Sequence, residues 1–136
     1  MPEGSLSFPL TPAASALIVH GETILLVRST RTQQQWAFPG GRSEEDESAR
    51  ETAVREAREE VGLSINVTHE LGLYVIEYAK GGFEITCFVA TAEGKDLRID
   101  AGEILEAKWC TLQEALHLNL VSTVREALLT YAGLSE

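Results

Sequence analysis

The sequence predicts a layered α/β domain, and three observations carry that expectation. Apolar strand-like runs lie on both sides of one acidic helix, short amphipathic helices close the chain, and the connections between these elements are short. At 136 residues there is room for one core without disulfides or a structural metal.

Residues 1–12 hold three of the four prolines and no long periodicity, and read as an N-terminal arm before a single domain at 13–134. Ala16–His20 and Thr23–Arg28 flank Gly21-Glu22 and read as two strands joined by a tight turn. Thr30–Gln35 is polar and loops out, and Trp36-Ala37-Phe38 then leads into Pro39-Gly40-Gly41, which reads as a turn ending the segment. Ser48 and Glu51 form a capping-box pattern that starts a helix near Ser48, and Gly62 is placed to end it. Ile65 to Tyr78 reads as one or two strands, Lys80-Gly81-Gly82 as a turn, and Phe83 to Thr91 as a strong strand. A short strand ends at Lys108-Trp109-Cys110, and Thr111 caps a short helix through Leu116. A last helix runs from about Val121 to Tyr131, with Val121, Val124, Leu128 and Tyr131 at core-facing spacing.

Charge narrows the partners. The formal net charge is -10, and eight of the 21 acidic residues fall within 41–63. An acidic chain with 11 dispersed basic residues is poorly suited to a nucleic-acid footprint. A phosphorylated small molecule can still bind where a metal inverts the local field. Cys87 and Cys110 form no C-x-x-C and read as buried small hydrophobes, while His20, His69 and His117 have no metal-ligand spacing. No apolar run approaches the roughly 18 residues of a membrane span, and no signal-peptide pattern opens the chain, so the expected setting is the cytoplasm.

The chemistry concentrates on one helical turn. Glu56, Glu59 and Glu60 stand at i, i+3 and i+4, within an arc of about 100°. Val54, Ala57 and Val61 fall on a different arc, the one open to a core. Three like charges this close repel unless something positive sits among them. Hard carboxylate oxygens favour magnesium or manganese as that cation.

Gly41, Glu47 and the run Arg55-Glu56-Ala57-Arg58-Glu59-Glu60-Val61-Gly62-Leu63 resemble a complete Nudix box. Trp36-x-Phe38-Pro39-Gly40-Gly41 before it and a late Trp109 followed by a helix are also similar to that family, so the resemblance covers roughly residues 13 to 130. It implies an α/β/α sandwich with a central mixed β-sheet. It also implies hydrolysis of a nucleoside diphosphate linked to another moiety, with Mg2+ or Mn2+ as cofactor. The metal ligands it implies are Glu56, Glu59, Glu60 and the backbone carbonyl of Gly40. Gly41, Glu47, Arg55 and Gly62 take structural roles, Glu47 pairing with Arg55 to fix the loop against the helix.

A further carboxylate arrives in such proteins from a distant loop. Glu103, six residues before Trp109, is the first choice as ligand or general base, with Glu106 and Asp100 next. Glu59 and Glu56 are the other candidates for the base, and the sequence leaves that assignment open. Arg28 ends a strand where it could meet a terminal phosphate; Trp36 and Tyr78 could stack on a base, and Phe38 reads as core.

For the substrate, the absence of proline after Pro39 argues against the long-chain ADP-ribose enzymes. The compact domain resembles enzymes that cleave nucleoside triphosphates to monophosphate and pyrophosphate, and that is the expected reaction. ADP-ribose or nucleotide-sugar hydrolysis, dinucleoside-polyphosphate hydrolysis (through Tyr74 or Tyr78) and a nucleotide-binding sensor without turnover are the alternatives. Self-association is common in the family, and the apolar C-terminal helix offers a surface for a homodimer.

Overall fold

The computed structural model describes residues 9–133. Most of the predicted arm, residues 1–8, lies outside them. Strand β1 (Thr11–His20) turns at Gly21 into β2 (Thr23–Ser29); a short β3 (Gly40–Arg42) leads to helix α1 (Ala49–Val61). The long hairpin β4 (Ile65–Tyr78) and β5 (Gly81–Ala92) follows, then β6 (Ile104–Thr111), α2 (Leu112–Leu116) and α3 (Ser122–Tyr131). The sheet order is β4-β5-β1-β2-β6, with β3 paired to β1. Among the described strand pairs β1 and β5 run parallel and the others antiparallel, so the sheet is mixed.

Strand β1 shows why the layers form where they do. Its side chains alternate between faces. Ala14, Ala16 and Ile18 join the core beneath α1, with Ala53, Ala57, Val61 and Phe88. Leu17 joins Leu26, Cys87, Val124 and Leu128 in the core beneath α2 and α3. The result is helix, sheet, helix: the α/β/α sandwich of the sequence expectation.

Three details depart from the sequence reading. β1 begins at Thr11, five residues before the predicted strand. Gly40-Gly41 does not end the segment as a turn; the pair opens β3, where Gly40 and Gly41 lie opposite Ser15 and Ala14. Pairing with β1 on one edge, together with the Gly40 N–H bonded to Glu60, outweighs the turn preference of glycine there. Finally, Tyr131, which the spacing places toward the core, is 37% exposed at the last residue of α3.

The ends of α1 follow the sequence closely. The Ser48 hydroxyl accepts from the Glu51 N–H at 3.1 Å, and Glu51 Oε1 accepts from the Ser48 N–H at 2.9 Å. Such a cap contributes about 1 kcal/mol. Gly62 ends the helix at φ 75°, donating its N–H back to the last turn. A side chain at Gly62 would also meet the Cβ of Arg98 at 2.7 Å, so the position excludes other residues twice over.

Candidate metal centre and nucleotide cleft

Glu56 and Glu60 project from α1 toward β3, and Glu103 reaches them from the loop before β6. Carboxylate oxygens of all three lie within 4.8 Å of one another. Backbone hydrogen bonds set the position of Glu103. Arg98 and Asp100 donate to the carbonyls of Val61 and Glu60 at 2.8 and 3.0 Å, tying the loop to the end of α1. Glu103 then donates to the Asp100 carbonyl at 3.0 Å, and its own carbonyl accepts from Thr30.

Glu60 is only 2% exposed. Its Oε1 accepts from the Gly40 N–H at 3.0 Å, and Arg31 Nη2 lies 3.7 Å from Oε2. Burial pushes its pKa up to about 8; the Gly40 N–H opposes the rise, and the neighbouring Glu56 and Glu103 add to it. Glu56 is raised as well, chiefly by burial, with Arg55 pulling the other way. Backbone leaves no room for a side chain at Gly40, whereas one at Gly41 would have to displace the Glu56 carboxylate. A Cβ on Gly41 would collide with Glu56 Oε2, and one on Gly40 with the Ala14 carbonyl.

The cluster passes a chemical test for a hard divalent cation. It offers only carboxylate oxygens, and two of the three carboxylates are driven toward the neutral form by burial despite the arginines beside them, Arg55 at 3.2 Å from Glu56 and Arg31 at 3.7 Å from Glu60. Glu59 lies outside the cluster. It is 57% exposed at the side chain and accepts from Arg55 Nη1 at 3.0 Å.

Arg55 organises the other side of the helix. It holds Glu47 through two bonds, Nε to Oε2 at 2.7 Å and Nη2 to Oε1 at 3.0 Å. It also donates to the Arg42 carbonyl at 3.0 Å and to Glu56 Oε2 at 3.2 Å. Glu47 receives the Glu44 N–H at 2.9 Å and has the buried Thr52 hydroxyl 2.8 Å away. These donors, Arg55 first, hold the Glu47 pKa down to about 2, and the Arg55 guanidinium is raised in turn. The loop before α1 is thereby fastened to the helix.

Two clefts meet at this point. One, of about 540 Å³, is lined by Arg31, Gly41, Arg42, Arg55, Glu56 and Glu103. The other, of about 500 Å³, has Tyr74, Tyr78, Phe83, Leu120 and Val124 on its walls. They share Arg31, Gly41 and Arg42. Tyr78, expected to stack on a base, stands in the apolar cleft.

Other sequence candidates sit elsewhere. Trp36 is 7% exposed and belongs to the core beneath α2 and α3, with Arg28 and Lys108 5.5 and 5.4 Å from its ring centre. Arg28 donates twice to Glu106 Oε1, at 3.2 and 2.9 Å, and once to the Gln33 carbonyl at 2.7 Å. Glu106 is thus paired away from the cluster, and Asp100 Oδ1 accepts from the Gly102 N–H. Sequence reasoning passed over Arg31, whose one available signal was being the only charge in Thr30–Gln35.

A model of the NUDIX domain matches residues 9–131. The chain belongs to the NUDIX family. It is 33% identical over 104 residues to the CTP pyrophosphohydrolase of Escherichia coli (strain K12), covering 74% of each chain. It is 39% identical over 72 residues to an uncharacterised Nudix hydrolase, NudL, of Yersinia enterocolitica, covering 49% of this chain and 37% of that one. The chain spans 65% of a Bacillus subtilis relative, and so less than two thirds of several curated relatives it matches. Among solved structures, that of the E. coli ORF135 protein superposes with a TM-score of 0.76 at 28% identity, covering 98% of this chain and 95% of that one. A MutT NUDIX hydrolase from Burkholderia pseudomallei reaches 0.80 at 24% identity, covering 90% and 97%, and supports the fold. No helix among the described residues is long and apolar enough to cross a membrane.

Proposed function

We propose that the protein hydrolyses a nucleoside triphosphate to the monophosphate and pyrophosphate, using Mg2+ or Mn2+. The observation that supports this reading is the junction of an apolar cleft with one lined by both arginines and glutamates. A nucleoside fits the first, against Tyr74, Tyr78 and Phe83, and its phosphates then pass Arg31 and Arg42 toward Glu56 and Glu103. The name of the E. coli relative, CTP pyrophosphohydrolase, agrees with a triphosphate substrate.

Glu56, Glu60 and Glu103 are the residues that would hold the cation, with the Gly40 carbonyl beside them and Glu59 on the same turn. When bound, the cation supplies charge neutralisation at the phosphates and a lowered pKa for bound water. The chain itself supplies orientation and a proton acceptor. Water adds at phosphorus as the α–β anhydride bond breaks; pyrophosphate leaves, and the water proton passes to a carboxylate of the Glu56, Glu59 and Glu103 set. The buried free thiols of Cys87 and Cys110 suit a reducing, cytoplasmic setting.

The test offers nucleoside triphosphates (common and oxidised), ADP-ribose, nucleotide sugars and dinucleoside polyphosphates to wild type and to Glu56→Gln with Mg2+, identifying products by mass. Monophosphate plus pyrophosphate from a triphosphate, lost in the variant, is the expected result. Preferential cleavage of ADP-ribose, a nucleotide sugar or a dinucleoside polyphosphate would replace the substrate class. Binding without turnover would replace catalysis with sensing.

A further inference from the structure

We propose that Arg31 holds the place of the metal in the free protein and moves to the substrate's phosphates when the metal arrives. Its Nη2 lies 3.3 Å from the Gly40 carbonyl oxygen and 3.7 Å from Glu60 Oε2, two of the oxygens assigned above to the cation. A guanidinium and a divalent cation cannot both occupy that space without strong repulsion.

The build of the loop supports a moving side chain on a fixed backbone. Ser29 Oγ accepts from the N–H groups of Arg31 and Thr32, both at 3.2 Å, and Gln33 donates to the Ser29 carbonyl at 2.7 Å. Thr30 donates to the Glu103 carbonyl at 3.0 Å, so the loop is anchored to the metal-binding loop itself. The Arg31 side chain, by contrast, is 57% exposed and its contacts are long. It lines both clefts, and so borders both the carboxylates and the space assigned above to the phosphates.

Arg28 shows what an arginine without this freedom looks like. It is 22% exposed, doubly bonded to Glu106, bonded to Gln33 and set over Trp36. Of the two arginines, Arg31 is the one with donors to give to a phosphate. Guanidinium groups match phosphate oxygens in charge and geometry.

The phosphate half of this inference rests on the proposed function; the metal half does not. The experiment is calorimetric titration of Mg2+ alone into wild type, Arg31→Gln and Arg31→Lys at pH 9, followed by inorganic pyrophosphate at saturating Mg2+. Thermal unfolding of each variant accompanies it. Arg31→Gln should bind Mg2+ about three- to fivefold more tightly, the modest size expected of an exposed charge. It should bind pyrophosphate about tenfold more weakly, one charge-assisted contact being lost. Arg31→Lys keeps the charge, so its Mg2+ affinity should stay near wild type while pyrophosphate binding recovers in part. Unchanged or weaker Mg2+ binding by a folded Arg31→Gln protein overturns the place-holding role. Tighter Mg2+ binding with unaltered pyrophosphate affinity overturns the move to phosphate. Failure of wild type to bind pyrophosphate would count against the proposed function and leave the Mg2+ comparison intact.

Discussion

Glu47 and Glu60 belong to the same motif, and both side chains are largely out of water, at 13% and 3% exposure. Their electrostatic situations are opposite. Glu47 has a guanidinium bonded to both oxygens, and its pKa falls to about 2. Glu60 has one backbone N–H, an arginine at 3.7 Å and two other carboxylates, and its pKa rises to about 8. A buried charge whose partner is already present stiffens the fold; one whose partner is missing stores an affinity for a cation. The two sides of α1 divide these jobs, and Arg55 touches both.

The comparison breaks most directly at Glu60. Glu60→Gln should lower hydrolysis by more than about a hundredfold, since even residues that merely support metal ligands are worth 10–100-fold. The same change should leave the metal-free protein at least as stable as wild type, because the glutamine keeps an acceptor for the Gly40 N–H and carries no charge. Steady-state kinetics and thermal unfolding without metal check the two halves.

On the other side, Arg55→Met should destabilise the fold by about 2–3 kcal/mol, chiefly through the two bonds to Glu47 lost and that carboxylate left without its cation. Urea unfolding reads that loss. Next in size, Gly41→Ala should weaken Mg2+ binding about tenfold, because the added methyl displaces the Glu56 carboxylate. Calorimetry with Mg2+ measures it, and unaltered affinity would detach Glu56 from the metal site.

The pH dependence of stability is the most specific readout. Glu47 is ionised in the fold down to about pH 2, against an ordinary value of 4.5, so its contribution is present above 4.5 and lost as pH falls toward 2. Glu60 has the reverse sign: folding favours its protonated form, so its contribution is present below 4.5 and lost as pH rises to about 8. Metal-free stability should therefore fall on both limbs. Saturating Mg2+ should flatten the alkaline limb, and Glu60→Gln should abolish Glu60's share of it. Urea midpoints across pH 3–9, with and without Mg2+, give the curves.

Much of this was legible in the sequence because local rules sufficed. Ser48, Glu51 and Gly62 fix the ends of α1 through contacts within a few residues, and helical spacing puts Ala57 and Val61 inward with Glu56 and Glu60 near β3. Spacing could not say which glutamates of the turn an arginine would reach; Arg55 Nη1 donates to both Glu56 and Glu59 and leaves Glu60 aside. Glu103 was named from its distance to Trp109, but its position depends on the Asp100 N–H finding the Glu60 carbonyl, a backbone bond without a sequence signature. Arg28 and Trp36 looked available from strand-end position and residue type. The structure sets Arg28 against Glu106 across the β2–β6 pair and places Trp36 in the core. Arg31 carries no periodicity, and only tertiary contacts give it a role.

The most direct measurement is proton release on Mg2+ binding at pH 7, obtained by calorimetry in two buffers of different ionisation enthalpy. A Glu60 carboxyl with a pKa of about 8 is mostly protonated there and must ionise to bind the cation, so about one proton should leave per Mg2+. Glu60→Gln should remove that signal, whereas Glu47→Gln should keep it. Binding without proton release, or release that survives both Glu60→Gln and Glu56→Gln, would contradict the assignment of the cation to the Glu56, Glu60 and Glu103 cluster.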